Sequence, residues 1–192
     1  MNEPFLLIGL GNPGREYRET RHNIGFMLLD RLAATLGTRF TRMQSRALVA
    51  SGNYRDRKVI LAMPQTFMNL SGKSVQGLVH FYHLPLSNLL LTHDDLDLPV
   101  GTIRIRPDGG SAGQKGMSST IEYLGTNEFP RLRLGIGRPP GQMQAPDYVL
   151  NNFSRSEMEI MDETLNAASE AVLMWVTDGL DSAMNKYNKT SV

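Results

Sequence analysis

The chain contains no cysteine, which removes disulfide frameworks, cysteine-ligated zinc and thiol nucleophiles together and gives no support to an extracellular setting. A cytoplasmic location is the expectation. Long hydrophobic runs are missing too. The N-terminal apolar run Phe5–Leu10 is closed at once by Gly11-Asn12-Pro13-Gly14, unlike a signal peptide, and no stretch approaches the roughly 18 apolar residues that a membrane span needs. A soluble protein without a membrane partner follows. Charge of one sign is also lacking: 20 basic against 19 acidic side chains leave a net +1, less basic than a dedicated nucleic-acid binder. Repeats, low-complexity tracts and composition breaks are absent as well. A chain of 192 residues fits a single domain over 1–192 with a self-sufficient core.

Charge distribution says more than the sum. Arg15, Arg18 and Arg21 flank a first glycine-rich loop, Arg104, Arg106 and Lys115 surround a second, and Lys186 and Lys189 lie near the C-terminus. Each alone reads as a solvated surface charge, whereas clustering at two special loops points to an anionic ligand.

Short Leu/Ile/Val-rich runs bounded by Gly, Pro, Asn or Asp predict strands at Phe5–Leu10, Lys58–Met63, Asn88–Thr92, Thr102–Arg106 and Arg131–Ile136. Between them helical spacing predicts helices over Arg21–Leu36, Ser71–Tyr82 and Met117–Leu124. A long helix follows Ser154, where Ser154 and Glu157 form a capping-box pattern and Met158, Met161, Leu165, Ala168, Val172 and Trp175 recur at spacings of three and four. Strands alternating with helices imply a three-layer α/β/α domain with a mixed, largely parallel central sheet. The Pro/Gly-rich stretch Arg138–Asp147 reads as a surface loop, with a mobile lid as the alternative. Residues after Tyr187 read as a frayed end.

Several spellings promise more than their context allows. Gly9, Gly11 and Gly14 spell the dinucleotide fingerprint, but Asn12-Pro13-Gly14 is a turn, helix begins only near Arg21, and no acidic strand end follows at the right distance. Gly109-Gly110-Ser111-Ala112-Gly113 spells a nucleophile elbow, yet all four histidines precede Ser111 whereas that arrangement places its histidine after the serine. Gly72-Lys73-Ser74 lacks the upstream glycine of a phosphate loop and starts a helix. The carboxylates of His93-Asp94-Asp95-Leu96-Asp97 have neither calcium-loop spacing nor a partner cluster, so a metal is the weaker reading. One of them at a strand end could instead accept a hydrogen bond from an imidazole and fix its tautomer. His80 and His83, beside Phe81 and Tyr82, read as structural. His22, at the mouth of a glycine loop among polar neighbours, is the candidate base. Asn69, in Gln65-Thr66-Phe67-Met68-Asn69-Leu70-Ser71-Gly72, is either a helix N-cap or an amide aimed at a substrate carbonyl or a water.

Taken together, Tyr17-x-x-Thr20-Arg21-His22-Asn23-x-Gly25, Thr66-Phe67-Met68-Asn69-Leu70-Ser71-Gly72, His93-Asp94-Asp95-Leu96-Asp97-Leu98-Pro99 and the glycine loop at 109–116 closely resemble bacterial-type peptidyl-tRNA hydrolases. The resemblance runs from Gly9 to Trp175-Val176-Thr177-Asp178-Gly179. It implies a monomeric cytosolic esterase that cleaves the ester between a peptide and tRNA, recycling tRNA from aborted translation, with RNA as partner and no DNA, cofactor or metal. By position it makes His22 the general base and Asp94 the residue that holds it. Asn12 would distinguish blocked from free aminoacyl groups, and Tyr17, Phe67 and Asn69 would bind the tRNA 3′ end and the peptide backbone. An imidazole can deprotonate water near neutral pH, so such a mechanism needs no serine or cysteine. Asn69 could position that water or stabilise the oxyanion. Basic side chains at 15, 18, 21, 104, 106 and 115 would meet phosphates. Where the family usually has His-Asn-Gly, this chain has Gln114-Lys115-Gly116, so Lys115 is carried over as a tRNA-binding position that cannot accept a hydrogen bond. A catalytically silent RNA-binding relative and a nucleotide-dependent oxidoreductase are the competing classes.

Overall fold

The computed structural model describes residues 3–188. Strand β1 (Phe5–Gly9) leads through two short 3-10 turns, Arg15–Tyr17 and Arg21–Asn23, into α1 (Ile24–Thr35). Strands β2 (Arg42–Gln44), β3 (Ala47–Tyr54) and β4 (Arg57–Pro64) follow, then a 3-10 turn Met68–Leu70 running into α2 (Ser71–Phe81). Next come β5 (Leu89–Asp95), β6 (Ile103–Arg106), α3 (Lys115–Leu124), β7 (Arg131–Gly135), α4 (Ala145–Val149), α5 (Arg155–Asp178) and α6 (Leu180–Tyr187). The strands form one seven-stranded sheet in the order β2-β3-β4-β1-β5-β7-β6.

The four central strands β4, β1, β5 and β7 are parallel, while β2, β3 and β6 join antiparallel at the two sides. Parallel strands covered on both faces read as continuous apolar runs, and Leu6, Leu7 and Ile8 of β1 are fully buried. Alternation sends Leu7, Leu61 and Leu90 to the face packed by Leu28, Leu29, Leu165, Val172 and Trp175 of α1 and α5. Leu6, Ile8, Ile60 and Leu91 go to the face packed by Val75, Leu78 and Met117 of α2 and α3. Three layers result, as the pattern predicts.

The differences are local. The β2–β3 hairpin is not predicted, and neither are α4 and α6. The predicted helix 21–36 is a 3-10 turn followed by α1, and α3 begins two residues early, at Lys115. The stretch 138–147 is not wholly loop, because α4 begins within it at Ala145. Both described ends of the chain lie toward the edge where the parallel strands begin. The Asn88 side chain donates to the Pro4 carbonyl at 3.2 Å. The Asn188 amide exchanges two hydrogen bonds with the Ile105 backbone at 2.7 and 2.8 Å, where Ile105 pairs with Leu132 early in β7. Of the end expected to fray after Tyr187, Asn188 is thus held in place, while Lys189 and the residues after it lie outside the described residues. The opposite edge, where the parallel strands end, gathers the special residues.

Candidate active site

The glycines of the first loop make a close approach rather than a phosphate cradle. A Cβ on Gly9 would sit 2.5 Å from the Gly25 carbonyl oxygen, and one on Gly25 would sit 2.7 Å from the Leu10 nitrogen. The end of β1 thus lies directly on the start of α1, with the 3-10 turn of Arg21, His22 and Asn23 wedged beside it, all three residues buried. Asn23 locks this junction. Its Oδ1 accepts the Asn12 backbone N–H and its Nδ2 donates to the Asn12 carbonyl, both at 2.9 Å.

His22 Nδ1 lies 2.8 Å from Asp94 Oδ2, at the end of β5. A carboxylate only accepts, so Nδ1 carries the proton and Nε2 is left as the basic nitrogen. The second carboxylate oxygen, Oδ1, accepts from Gln114 Nε2 at 3.0 Å. The other end of that amide is also taken, because Gln114 Oε1 accepts the Met117 N–H at 2.8 Å as the N-cap of α3. Asn12 Oδ1 accepts the Met68 N–H at 2.9 Å, which leaves the Asn12 NH₂ as a donor.

These groups border a cavity of about 400 Å³ whose lining includes Asn12, His22, Phe67, Asn69, Asp94 and Lys115, together with Met68, Leu96 and Gln114. Asp95, Ala112 and Gly113 add to the lining, and one apolar wall comes from α4 and the residue after it: Ala145, Pro146, Val149 and Leu150. Phe67 is 60% exposed, a large aromatic at a cavity mouth with no core of its own. Of the residues singled out from sequence, Tyr17 is not brought to this lining. It lies half-buried in the Arg15–Tyr17 turn. Asn69 does not cap α2, whose N-cap is Leu70 without a side-chain bond, and it is an exposed residue of the cavity lining.

The other charged groups sort by partner. Asp95 Oδ2 accepts from Arg133 Nε at 2.6 Å and Asp97 pairs with Arg138, so the three carboxylates of the cluster face three different cationic or imidazole groups. His93 is buried, with Nδ1 donating to the Asp94 carbonyl at 2.7 Å, and burial holds its pKa below the ordinary histidine value, offsetting the hydrogen bond and nearby carboxylates that favour its charged form. Arg21, expected among phosphate-binding cations, is instead buried and paired with Glu157 at 2.7 Å. Arg15, Arg18, Arg106 and Lys115 are exposed and Arg104 partly so. His80 and His83 are exposed around the end of α2, outside the cavity lining. Gln114, the link between Asp94 and α3, stands out in the sequence only as a departure from the histidine that the resemblance expects there, with no local sign of its bond to Asp94. Its role exists only because the fold brings residue 114 to the end of β5.

Comparison with known proteins identifies the family. A profile described as peptidyl-tRNA hydrolase matches residues 6–192. The peptidyl-tRNA hydrolase of Carboxydothermus hydrogenoformans is 49% identical over 186 residues, covering 96% of this chain and 98% of that one. That of Thermoanaerobacter sp. (strain X514) is 46% identical over 184 residues, covering 96% and 99%. The crystal structure of the peptidyl-tRNA hydrolase from Acinetobacter baumannii superposes with a TM-score of 0.92 at 35% identity, covering all of this chain and 97% of that one. With a matching profile along nearly its whole length, relatives near half-identity and the same fold around a His–Asp cavity, this chain belongs to the peptidyl-tRNA hydrolase family.

Proposed function

We propose that this chain, working as one domain, hydrolyses the ester between the peptide, or an N-blocked aminoacyl group, and the tRNA ribose, using water activated by His22. The observation that carries the reading is the 2.8 Å bond from His22 Nδ1 to Asp94 Oδ2 at the border of the cavity. It leaves Nε2 to take a proton from water as the oxygen attacks the ester carbonyl. The tetrahedral intermediate then collapses, the bond to the ribose oxygen breaks, and the proton on Nε2 passes to that oxygen. The products are a free carboxylate and a tRNA with its terminal hydroxyl restored. Asp94 Oδ2 accepts the His22 Nδ1–H throughout and favours the imidazolium between the two transfers.

Asn69 serves as the amide that holds the attacking water or the developing oxyanion. Asn12, with Oδ1 occupied, offers only a donor, which suits the carbonyl of an acylated amino group and opposes the ammonium of a free one. Phe67 offers a face for the terminal base or peptide plane. Lys115, the first residue of α3 and at the cavity rim, supplies a point charge to phosphate where an amide would exchange directional bonds. Tyr17 acts on the tRNA outside the cavity itself. We read the protein as a cytoplasmic monomer that works on RNA without metal or cofactor and without DNA or a membrane. No helix among the described residues is long and apolar enough to cross a membrane.

Purified protein in excess chelator, given N-acetylated aminoacyl-tRNA, releases free tRNA, and His22→Ala loses most of that release. An unimpaired His22→Ala variant overturns the assignment, and tight tRNA binding without any turnover in the wild type restores the silent-binder reading.

A further inference from the structure

Arg21 stands one residue before His22, and its guanidinium is committed inward. One Nη donates to the Tyr148 and Asn151 carbonyl oxygens at 3.5 and 3.3 Å, and the other donates to Glu157 Oε2 at 2.7 Å. The guanidinium carbon lies 4.2 Å from the centroid of the Tyr148 ring and 5.5 Å from that of Phe153. Glu157 Oε2 also accepts the Ser154 N–H in the capping box of α5. A single side chain therefore joins the turn that carries His22, the end of α4 and the start of α5. The backbone reinforces the seam, with the Arg21 N–H donating to the Asn151 carbonyl at 3.0 Å and Thr20 bridging to Asn152.

The segment so held is the apolar cavity wall. At five residues α4 is too short to persist as an isolated helix. Beyond Arg21 and the seam, the Tyr148 hydroxyl donates to the Ile136 carbonyl at 2.7 Å, and Tyr148 and Val149 pack on the core. A lysine could neutralise Glu157, but it has neither the fork for two carbonyls nor a flat face for the Tyr148 ring.

We propose that Arg21 is a positioning residue that docks α4 against the histidine turn, so that the apolar wall of the cavity keeps its shape only while the guanidinium is in place. It acts through the Tyr148 and Asn151 carbonyls and does not touch the reacting atoms. The proposal rests on the hydrolase reading for its kinetic consequence alone.

The test compares wild type, Arg21→Lys and Glu157→Gln as full chains, reading kcat and KM for N-acetylated aminoacyl-tRNA and amide hydrogen exchange across 145–152 and β5. For Arg21→Lys, KM rises about tenfold while kcat stays within about twofold, the pattern of lost binding that ground and transition states share. Exchange at 148–151 accelerates about tenfold or more while β5 is unchanged, because only the local opening becomes easier. Glu157→Gln moves both readouts the same way by less, and it supplies the test should Arg21→Lys fail to fold. Unchanged exchange at 148–151, acceleration spread equally into β5, or a kcat loss at constant KM each overturns the proposal. If the wild type does not turn over, the hydrolase reading fails, and the exchange pattern still decides the docking role.

Discussion

Proton transfer in this protein comes down to which nitrogen of one ring is kept basic. Removing His22 takes away the base, and His22→Ala is expected to lower kcat by about 10²- to 10⁴-fold, checked by single-turnover release of tRNA. Asp94→Asn keeps the shape but removes the charge and leaves one acceptor oxygen for two donors, His22 Nδ1–H and the Gln114 amide, so kcat falls by about 10²-fold or more with little change in KM. Gln114→Leu removes both ends of a shared amide. The α3 cap loses about 1 kcal/mol, read from urea midpoints, and kcat falls because Asp94 Oδ1 has lost its fixed donor. His93 adds a pH dependence of stability. Its folded pKa lies below the ordinary 6.5 through burial, so its contribution is intact above that value. As pH falls below it the unfolded chain binds the proton first, and stability declines toward the folded pKa. His93→Gln is expected to flatten that acid decline in urea titrations. His22 and Asp94 were legible because each stands in an odd local setting, a histidine in a glycine turn and carboxylates closing an apolar strand. Arg21 was misread for the opposite reason. Nothing near it in sequence announces Glu157 or Tyr148, which reach it only through tertiary packing.

Elements with a marked apolar pattern of their own are the readable ones. β1 and β5 have continuous apolar cores, and α5 announces itself through Ser154, Glu157 and a regular stripe. The β2–β3 hairpin was hidden because Arg42, Met43 and Gln44 lie on an exposed or half-exposed edge strand, while β3 turns from buried Ala47–Ala50 to small and polar Ser51, Gly52 and Asn53 as it runs past the core. Such a strand is specified by its partner β4, not by its own period. α4 was hidden by its five-residue length and by Pro146 at its start. A tight junction between elements, that of β1 and α1, yields a sharp expectation. Gly25→Ala places a methyl 2.7 Å from backbone atoms of Leu10, where neither partner is a side chain that could swing away. A loss of about 1–3 kcal/mol is expected. Trp175, the single tryptophan and 3% exposed, makes the unfolding readable by fluorescence.

At the scale of the whole molecule, the parallel strands end together at one edge, and Asn12, Asp94 and the turn carrying His22 collect there as loops of otherwise separate segments. The exposed cations Arg15, Arg18 and Lys115 stand at the first 3-10 turn and the start of α3, and Arg106, which pairs with Arg131 at the start of β7, lies at the opposite edge. No high net charge marks the chain, so composition alone is nearly silent about RNA. Their share in binding is tested with salt. Raising it from about 50 to 200 mM should increase KM for acylated tRNA by roughly tenfold or more while kcat holds, since counterion release affects association and not the ester chemistry. The polarity of the sheet has a practical side. Pro4 and Asn188 are both stitched to the edge where the parallel strands begin. A surface, bead or fluorescent partner attached through either terminus therefore sits behind the molecule, with the catalytic mouth turned outward. Enzyme immobilised by one terminus and then by the other is expected to turn over at matching rates, and the same amount coupled at random through lysines to be slower, as Lys115 would then be blocked at the rim.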